Sequence, residues 1–148
     1  MTIIVWDGIT LAADKQATNS GLKLTVTKIR RIREHLVGFS GDLDYAIAMT
    51  KWFEDGAKVE NFPKHQEDND KWIGMIVITP DNKVLKYERS PHPIDFTENR
   101  MLCLGCGRDF AFGALAMGAD ARKAVMIACL YDSGCGMGID TLTLTPKE

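Results

Sequence analysis

Thr2 carries the most self-contained chemistry in the chain. Once an aminopeptidase removes Met1, a hydroxyl and a free α-amine belong to one residue. An α-amine titrates near about 7.7–8.0, so it can take the hydroxyl proton directly or through a water, and nucleophilic catalysis needs no histidine. A Met-Thr start alone is unspecific and equally opens an ordinary strand. A second chemical group is the four cysteines, Cys103, Cys106, Cys129 and Cys135, confined to the last third. Cys103-Leu104-Gly105-Cys106 has the spacing of a zinc or redox pair, and Cys129 and Cys135 offer further ligands at an irregular spacing. Their apolar and glycine neighbours suit free, buried thiols in a reducing compartment better than a disulfide framework. Gly105-x-Gly107-x-x-Phe110 lacks the third glycine of a dinucleotide fingerprint, and no βαβ unit surrounds it. His35, His65 and His92 are scattered over strand edges and loops, so they suggest neither a triad nor a metal site.

Three segments follow Thr2 in a telling order: Ala12-Ala13-Asp14-Lys15-Gln16-Ala17-Thr18, Lys28-Ile29-Arg30-Arg31-Ile32, and Val37-Gly38-Phe39-Ser40-Gly41. Taken singly, the basic run is a solvated strand and Asp14 a hairpin-end turn residue. Taken together with Thr2, they resemble the N-terminal core of proteasome β-type subunits and HslV-like peptidases, which are N-terminal-nucleophile (Ntn) hydrolases. Members of that family begin with Thr. They carry an Ala/Gly-Asp-x-x-Ala-Thr segment, a Lys before a hydrophobic-basic strand, and a small-Gly turn into the first helix. The resemblance covers residues 2–55 well and 101–136 more loosely.

What the resemblance implies can be placed residue by residue. Thr2 matches the nucleophile, Lys28 the cation beside it, Asp14 the carboxylate that holds Lys28, and the Gly41 N–H the oxyanion donor. Thr18 matches the position whose backbone pairs with an extended peptide substrate; on its own it is equally a plain turn threonine. Leu104-Gly105-Cys106-Gly107 resembles the family's Gly-Ser-Gly, and Asp132-Ser133-Gly134-Cys135-Gly136 resembles its Asp-x-x-Ser-Gly. Asp132 is thereby implied as a partner of the α-amine. Cys106 and Cys135 stand where the family has supporting serines, and a thiol is a weaker donor and acceptor than a hydroxyl.

The elements that must position these residues are mostly strands. Thr2 to Trp6 and Ile9 to Ala13 flank Asp7-Gly8, the composition of a type I′ hairpin turn. After a polar break at Asn19-Ser20-Gly21, Leu22 to Val26, Lys28 to Ile32 and Leu36 to Phe39 read as further strands. Leu43, Ala46, Ile47, Thr50 and Phe53 recur at helical spacing behind Asp42 and Asp44, with Gly56 as the stop. Glu60 to Lys71 reads as a loop or single turn, and strands return at Ile73 to Thr79 and Val84 to Tyr87. Met101 to Leu104 follows the stiff Ser90-Pro91-His92-Pro93 connector. Phe110, Ala114 and Met117 mark the face of one helix ended by Gly118. Ala121, Ala124, Val125 and Ala128 mark another, opened by Asp120 and closed near Gly134, before a last strand at Ile139 to Leu144.

The chain has 148 residues, 45% hydrophobic, which suits one domain with a full core spanning 1–148. A net charge of -2 offers no global field for nucleic acid, and no run approaches the roughly 20 apolar residues of a membrane span. The absence of a secretory apolar region after Met1 suits a cytoplasmic protein. The expected fold is α+β, a four-layer α-β-β-α sandwich of two antiparallel sheets, with the family's second long helix short or absent. The expected function is threonine-type peptidase action on peptide or unfolded protein, with no cofactor. The resemblance implies a homo-oligomer, with a ring and an ATPase unfoldase partner both left open. Two other readings stand beside it: a catalytically silent assembly subunit that retains Met1, and a thiol or zinc-binding protein.

Overall fold

The computed structural model describes residues 2–64 and 73–145. Its first two strands, β1 (Ile3–Trp6) and β2 (Thr10–Asp14), form the expected antiparallel hairpin, with Val5 opposite Ala12. The turn is centred on Gly8-Ile9, one residue beyond the Asp7-Gly8 pair of the type I′ expectation. A type I′ turn needs φ > 0 at both central residues, and here Gly8 has φ +98° while Ile9 is not among the positive-φ residues. Asp7 takes another part: its Oδ1 accepts the N–H groups of Ile9 and Thr10, both at 2.8 Å.

Four more strands precede the first helix, and a fifth is the next strand after it. They are β3 (Gln16–Asn19), β4 (Leu22–Thr25), β5 (Ile29–Ile32), β6 (His35–Gly41) and, after α1 (Leu43–Glu54), β7 (Ile73–Ile78). Next come β8 (Val84–Tyr87), β9 (Ile94–Asp95), β10 (Leu102–Gly105), helices α2 (Arg108–Ala116) and α3 (Ala121–Tyr131), and β11 (Ile139–Thr143). One antiparallel sheet runs β10-β1-β2-β11 and a second runs β5-β6-β7-β8-β9, while β3 and β4 pair apart from both. β3 and β9 are additions to the sequence reading: both are short and at least half polar, so they carry no apolar alternation to betray them.

Strand alternation builds the layers. On β1, Ile3 and Val5 point to α2 and α3, and Ile4 and Trp6 point to the other sheet. On β7, Met75 and Val77 point to α1, and Ile76 and Ile78 point back to the first sheet. Three apolar clusters result: one under α2 and α3, one between the sheets, one under α1. The architecture is therefore the expected α-β-β-α sandwich. Between Gly56 and the end of the first described stretch, the structure holds a three-residue 3₁₀ turn, Val59–Asn61. The rest of the expected Glu60 to Lys71 loop, with His65, lies largely outside the described residues.

Helix ends follow local chemistry. Asp42 caps α1, its carboxylate accepting the N–H of Asp44 and Tyr45, and Asp120 caps α3 through the N–H of Lys123. α3 stops at Tyr131 rather than near Gly134, because Asp132 is already extended. Its apolar face is the expected one, with Ala121, Ala124, Val125 and Ala128 all buried. The face of α2 is turned from the expected one: Ala111 and Leu115 are buried, while Phe110 and Met117 are exposed. The small residues of α3 allow α2 to pack close, which leaves room for Ala111 but not for a ring. In α1 the expected Ala46, Thr50 and Phe53 are buried, joined by Met49 and Trp52, while Leu43 and Ile47 are exposed.

Candidate active site

Asp14 ends β2 with no exposed surface, and this burial makes its carboxylate depend on donors. It has five. Oδ1 accepts Lys28 Nζ at 2.7 Å, Thr2 Oγ1 at 3.1 Å and the Ile3 N–H at 3.1 Å. Oδ2 accepts the Gly136 N–H at 3.0 Å and the Gln16 N–H at 3.3 Å. Lys28 enters from just before β5 and is itself only 6% exposed, so the ion pair is sealed from solvent. The basic run of β5 is thus not uniformly a solvated face: Lys28 goes inward while Arg30 stays exposed.

The other side of Thr2 is made by β10 and the segment after α3. The Thr2 carbonyl accepts the Gly107 N–H at 3.3 Å and the Cys106 thiol at 3.4 Å. Gly105 has φ +108°, and a Cβ there would stand 2.1 Å from the Thr2 carbonyl oxygen, so this approach admits only glycine. Cys106 and Cys135 face each other with sulfurs 3.8 Å apart. Asp132 belongs to the same group, its ligand oxygen within 4.8 Å of both sulfurs. Among the described residues the four cysteines do not converge: Cys103 is buried under α2 and α3, with Cys129 packed against that cluster. All four are free.

Burial dominates the thiol electrostatics. It pushes Cys103 up to about 12 and Cys129 up to about 11, the latter helped by the charges of Asp14 and Asp132 and opposed by Lys28. Cys135 is raised as well, first by burial and then by the neighbouring Cys106 and Asp14.

Thr2 lines a cleft of about 790 Å³ together with Thr18, Lys28, Gly41 and the exposed Leu43 and Ile47 of α1. The sequence-derived residues thus fall into two sets. Thr2, Thr18, Lys28 and Gly41 share the cleft wall, with Asp14 bonded behind Thr2 and Lys28. Cys106, Cys135 and Asp132 are not part of that lining and adjoin Thr2 through its carbonyl. Sequence reasoning missed Gln16, which is buried and reaches the Ser133 carbonyl (3.1 Å) and Thr18 Oγ1 (3.3 Å) through Nε2. It also missed the Gly136 N–H on Asp14; the signal available was a glycine-rich turn next to an expected strand. Chemically, the arrangement holds a threonine hydroxyl against a charge-compensated carboxylate at the edge of an open groove.

No protein-family model matches the sequence, and no curated protein does. Solved structures match along the whole chain. BPH from Thiobacillus denitrificans superposes with a TM-score of 0.71 at 16% identity in its complex with epoxomicin, covering 99% of this chain and 100% of that one. A second structure of the same protein gives 0.70 at 19%, with the same coverage. The eukaryotic HslV of Trypanosoma brucei gives 0.68 at 23%, covering 95% of this chain and 97% of that one. The fold is that of the HslV-like Ntn hydrolases. Identities this low carry the fold and leave the chemistry to the residues themselves.

Proposed function

We propose that the protein is a threonine-type peptidase in which Thr2, exposed as the N-terminal residue by removal of Met1, is the nucleophile. The observation that carries the reading is the Thr2 hydroxyl on Asp14 Oδ1, the same oxygen that holds the buried Lys28 ammonium, at the wall of a groove. The α-amine of Thr2 takes the hydroxyl proton, Oγ1 adds to the scissile carbonyl, and the Gly41 N–H stabilises the tetrahedral oxygen. The amine then returns its proton to the leaving amine, and water hydrolyses the acyl ester on Oγ1. The Lys28 charge disfavours a second cation nearby and so keeps the amine basic and neutral, while Asp14 compensates Lys28. Asp132 assists the amine, with Cys106 and Cys135 in the supporting positions.

The substrate on this reading is an extended peptide. The β3-β4 ribbon has two strands, and β3, carrying Thr18, lines the cleft, so a peptide strand can add along it. Thr18 is the pairing position, and Leu43 and Ile47 offer the apolar contact for a side chain. A cytoplasmic homo-oligomer is part of the proposal, its self-association supported by exposed Phe112 on α2, Met117 just after it, and Leu130 and Tyr131 on α3. No helix among the described residues is long and apolar enough to cross a membrane.

The silent-assembly reading has an observation of its own: thiols, which are poor proton carriers beside hydroxyls, occupy both supporting positions. Intact-mass spectrometry separates the two. On the peptidase reading, the purified protein lacks Met1 and gains one epoxomicin, the ligand seen on the structural neighbour, and Thr2→Ala does not. A chain that keeps Met1 and refuses the probe is the silent subunit.

A further inference from the structure

We propose that Cys106, Cys135 and Asp132 form a three-ligand site for a thiophilic divalent cation, zinc in the first place, with a fourth position open beside Thr2. Two thiolates bound to one tetrahedral zinc at about 2.3 Å stand about 3.8 Å apart. The two sulfurs are 3.8 Å apart already. A disulfide would require them to close to about 2.05 Å, whereas a shared metal needs no change in their separation.

The third ligand comes pre-oriented. Asp132 and Cys135 have the ligand-x-x-ligand spacing common in zinc sites, on a turn closed by the Cys135 N–H on the Asp132 carbonyl at 3.1 Å. Asp132 Oδ1 accepts the Gly134 N–H at 2.8 Å, the kind of outer contact that holds a ligating carboxylate in place. Its ligand oxygen lies within 4.8 Å of both sulfurs, so about an ångström of side-chain movement brings it to bonding distance. Cys106 is exposed and gives the ion a way in, while Cys135 is buried and gives the site a dry floor.

Binding replaces both thiol protons by the metal, so each zinc taken up releases two protons and forms two zinc–sulfur bonds without any change of oxidation state. Two thiolates and a carboxylate leave one coordination position for water or another donor, as in open zinc sites. The consequence for turnover rests on the peptidase reading: a carboxylate engaged by zinc no longer assists the Thr2 amine, and zinc suppresses the reaction. The binding itself does not depend on that reading.

The test uses the full chain, reduced and chelator-stripped, titrated with cobalt chloride and then zinc sulfate. We expect a thiolate-to-cobalt charge-transfer absorption saturating at one equivalent per chain and abolished by one equivalent of zinc. Cys106→Ser, Cys135→Ser and Asp132→Asn each weaken zinc binding tenfold or more, and Cys129→Ser leaves it unchanged. Cys106 is exposed, so its variant keeps the fold even if Cys135→Ser does not. Absence of the cobalt band overturns the proposal, as does a band indifferent to Cys106→Ser or zinc affinity indifferent to Asp132→Asn. A Cys106–Cys135 disulfide persisting under the reducing titration overturns it too. None of these readouts involves peptide cleavage, so a silent Thr2 with an intact metal site remains distinguishable from the reverse.

Discussion

On one flank of Thr2, a buried carboxylate takes five hydrogen bonds drawn from five positions of the chain; on the other, two thiols and a carboxylate meet with little hydrogen bonding among themselves. The Asp14 flank is satisfied in the apoprotein. Each donor there is a backbone N–H, a hydroxyl or an ammonium, and charge-assisted bonds of this kind are about twice as strong as neutral ones. The Cys106–Cys135 flank has soft groups whose mutual contact, 3.8 Å between sulfurs, is weak. The lesson is that one side fixes the position of Thr2 and the other is free to change its chemistry without moving it.

Breaking the first flank should therefore cost most. Asp14→Asn removes the charge that compensates Lys28 and leaves a sealed ammonium facing an amide. A loss of about 3–5 kcal/mol in unfolding free energy is expected, read from urea melts. An Asp14→Asn protein as stable as the parent would show that Lys28 finds other compensation and that the flank is not fixed by charge.

The boundary between the flanks is the Gly105 approach to Thr2. Gly105→Ala forces a side chain into left-handed backbone and into the Thr2 carbonyl, 2.1 Å from where Cβ would lie. The strain alone is worth about 1–3 kcal/mol. Thermal unfolding should show it, and if the peptidase reading holds, epoxomicin labelling should slow as Thr2 is displaced. Unchanged melting would mean that β10 can slide away from β1, which the four-residue register between them argues against.

The sandwich is largely legible in the sequence because its central strands, β1 and β2 among them, are buried on both faces. Runs such as Ile3 to Trp6 and Ile73 to Ile78 read as strands whichever way they face, and α3 announces its face through Ala121, Ala124, Val125 and Ala128. The rotation of α2 is not legible, since a phenylalanine outranks an alanine on any hydrophobic scale while the close α2-α3 contact selects for size. Of the site, Thr2, Asp14 and Lys28 converge as the resemblance implies and as the residues taken singly do not. The Gly136 contact with Asp14 escapes because it is made by a backbone N–H, which every residue but proline has and which only tertiary placement directs, and the Gln16 side-chain contacts escape because their partners, the Ser133 carbonyl and Thr18 Oγ1, are brought to Nε2 only by the fold.

A pH titration reads the thiols of the core behind the soft flank, Cys103 buried in it and Cys129 packed against it. Cys103 is held near 12 by burial against an ordinary value of 9.0, so the unfolded chain gives up its proton first. The stability gained by burying the neutral thiol is complete below about pH 9 and falls away between about pH 9 and 12. Cys129, raised to about 11, adds in the same direction. Urea midpoints should fall from pH 8 to pH 10.5, roughly speaking, and fall less steeply in Cys103→Ala. Equal slopes in the two proteins would place the alkaline loss elsewhere.

The smallest effect is expected where the soft flank is rebuilt in oxygen. In reduced, metal-free protein, the double change Cys106→Ser and Cys135→Ser swaps two weak sulfur contacts, one between the thiols and one from Cys106 to the Thr2 carbonyl, for hydroxyl contacts. A hydrogen bond is worth about 0.5–1.5 kcal/mol net, and burying the second hydroxyl takes back a similar amount. Stability should then move by less than about 1 kcal/mol in either direction. On the peptidase reading the same variant labels faster with epoxomicin, because hydroxyls relay the amine proton better than thiols. A destabilisation as large as that of Asp14→Asn would erase the distinction between the flanks. It would mean that the thiols, and not only the carboxylate network, hold Thr2 in place.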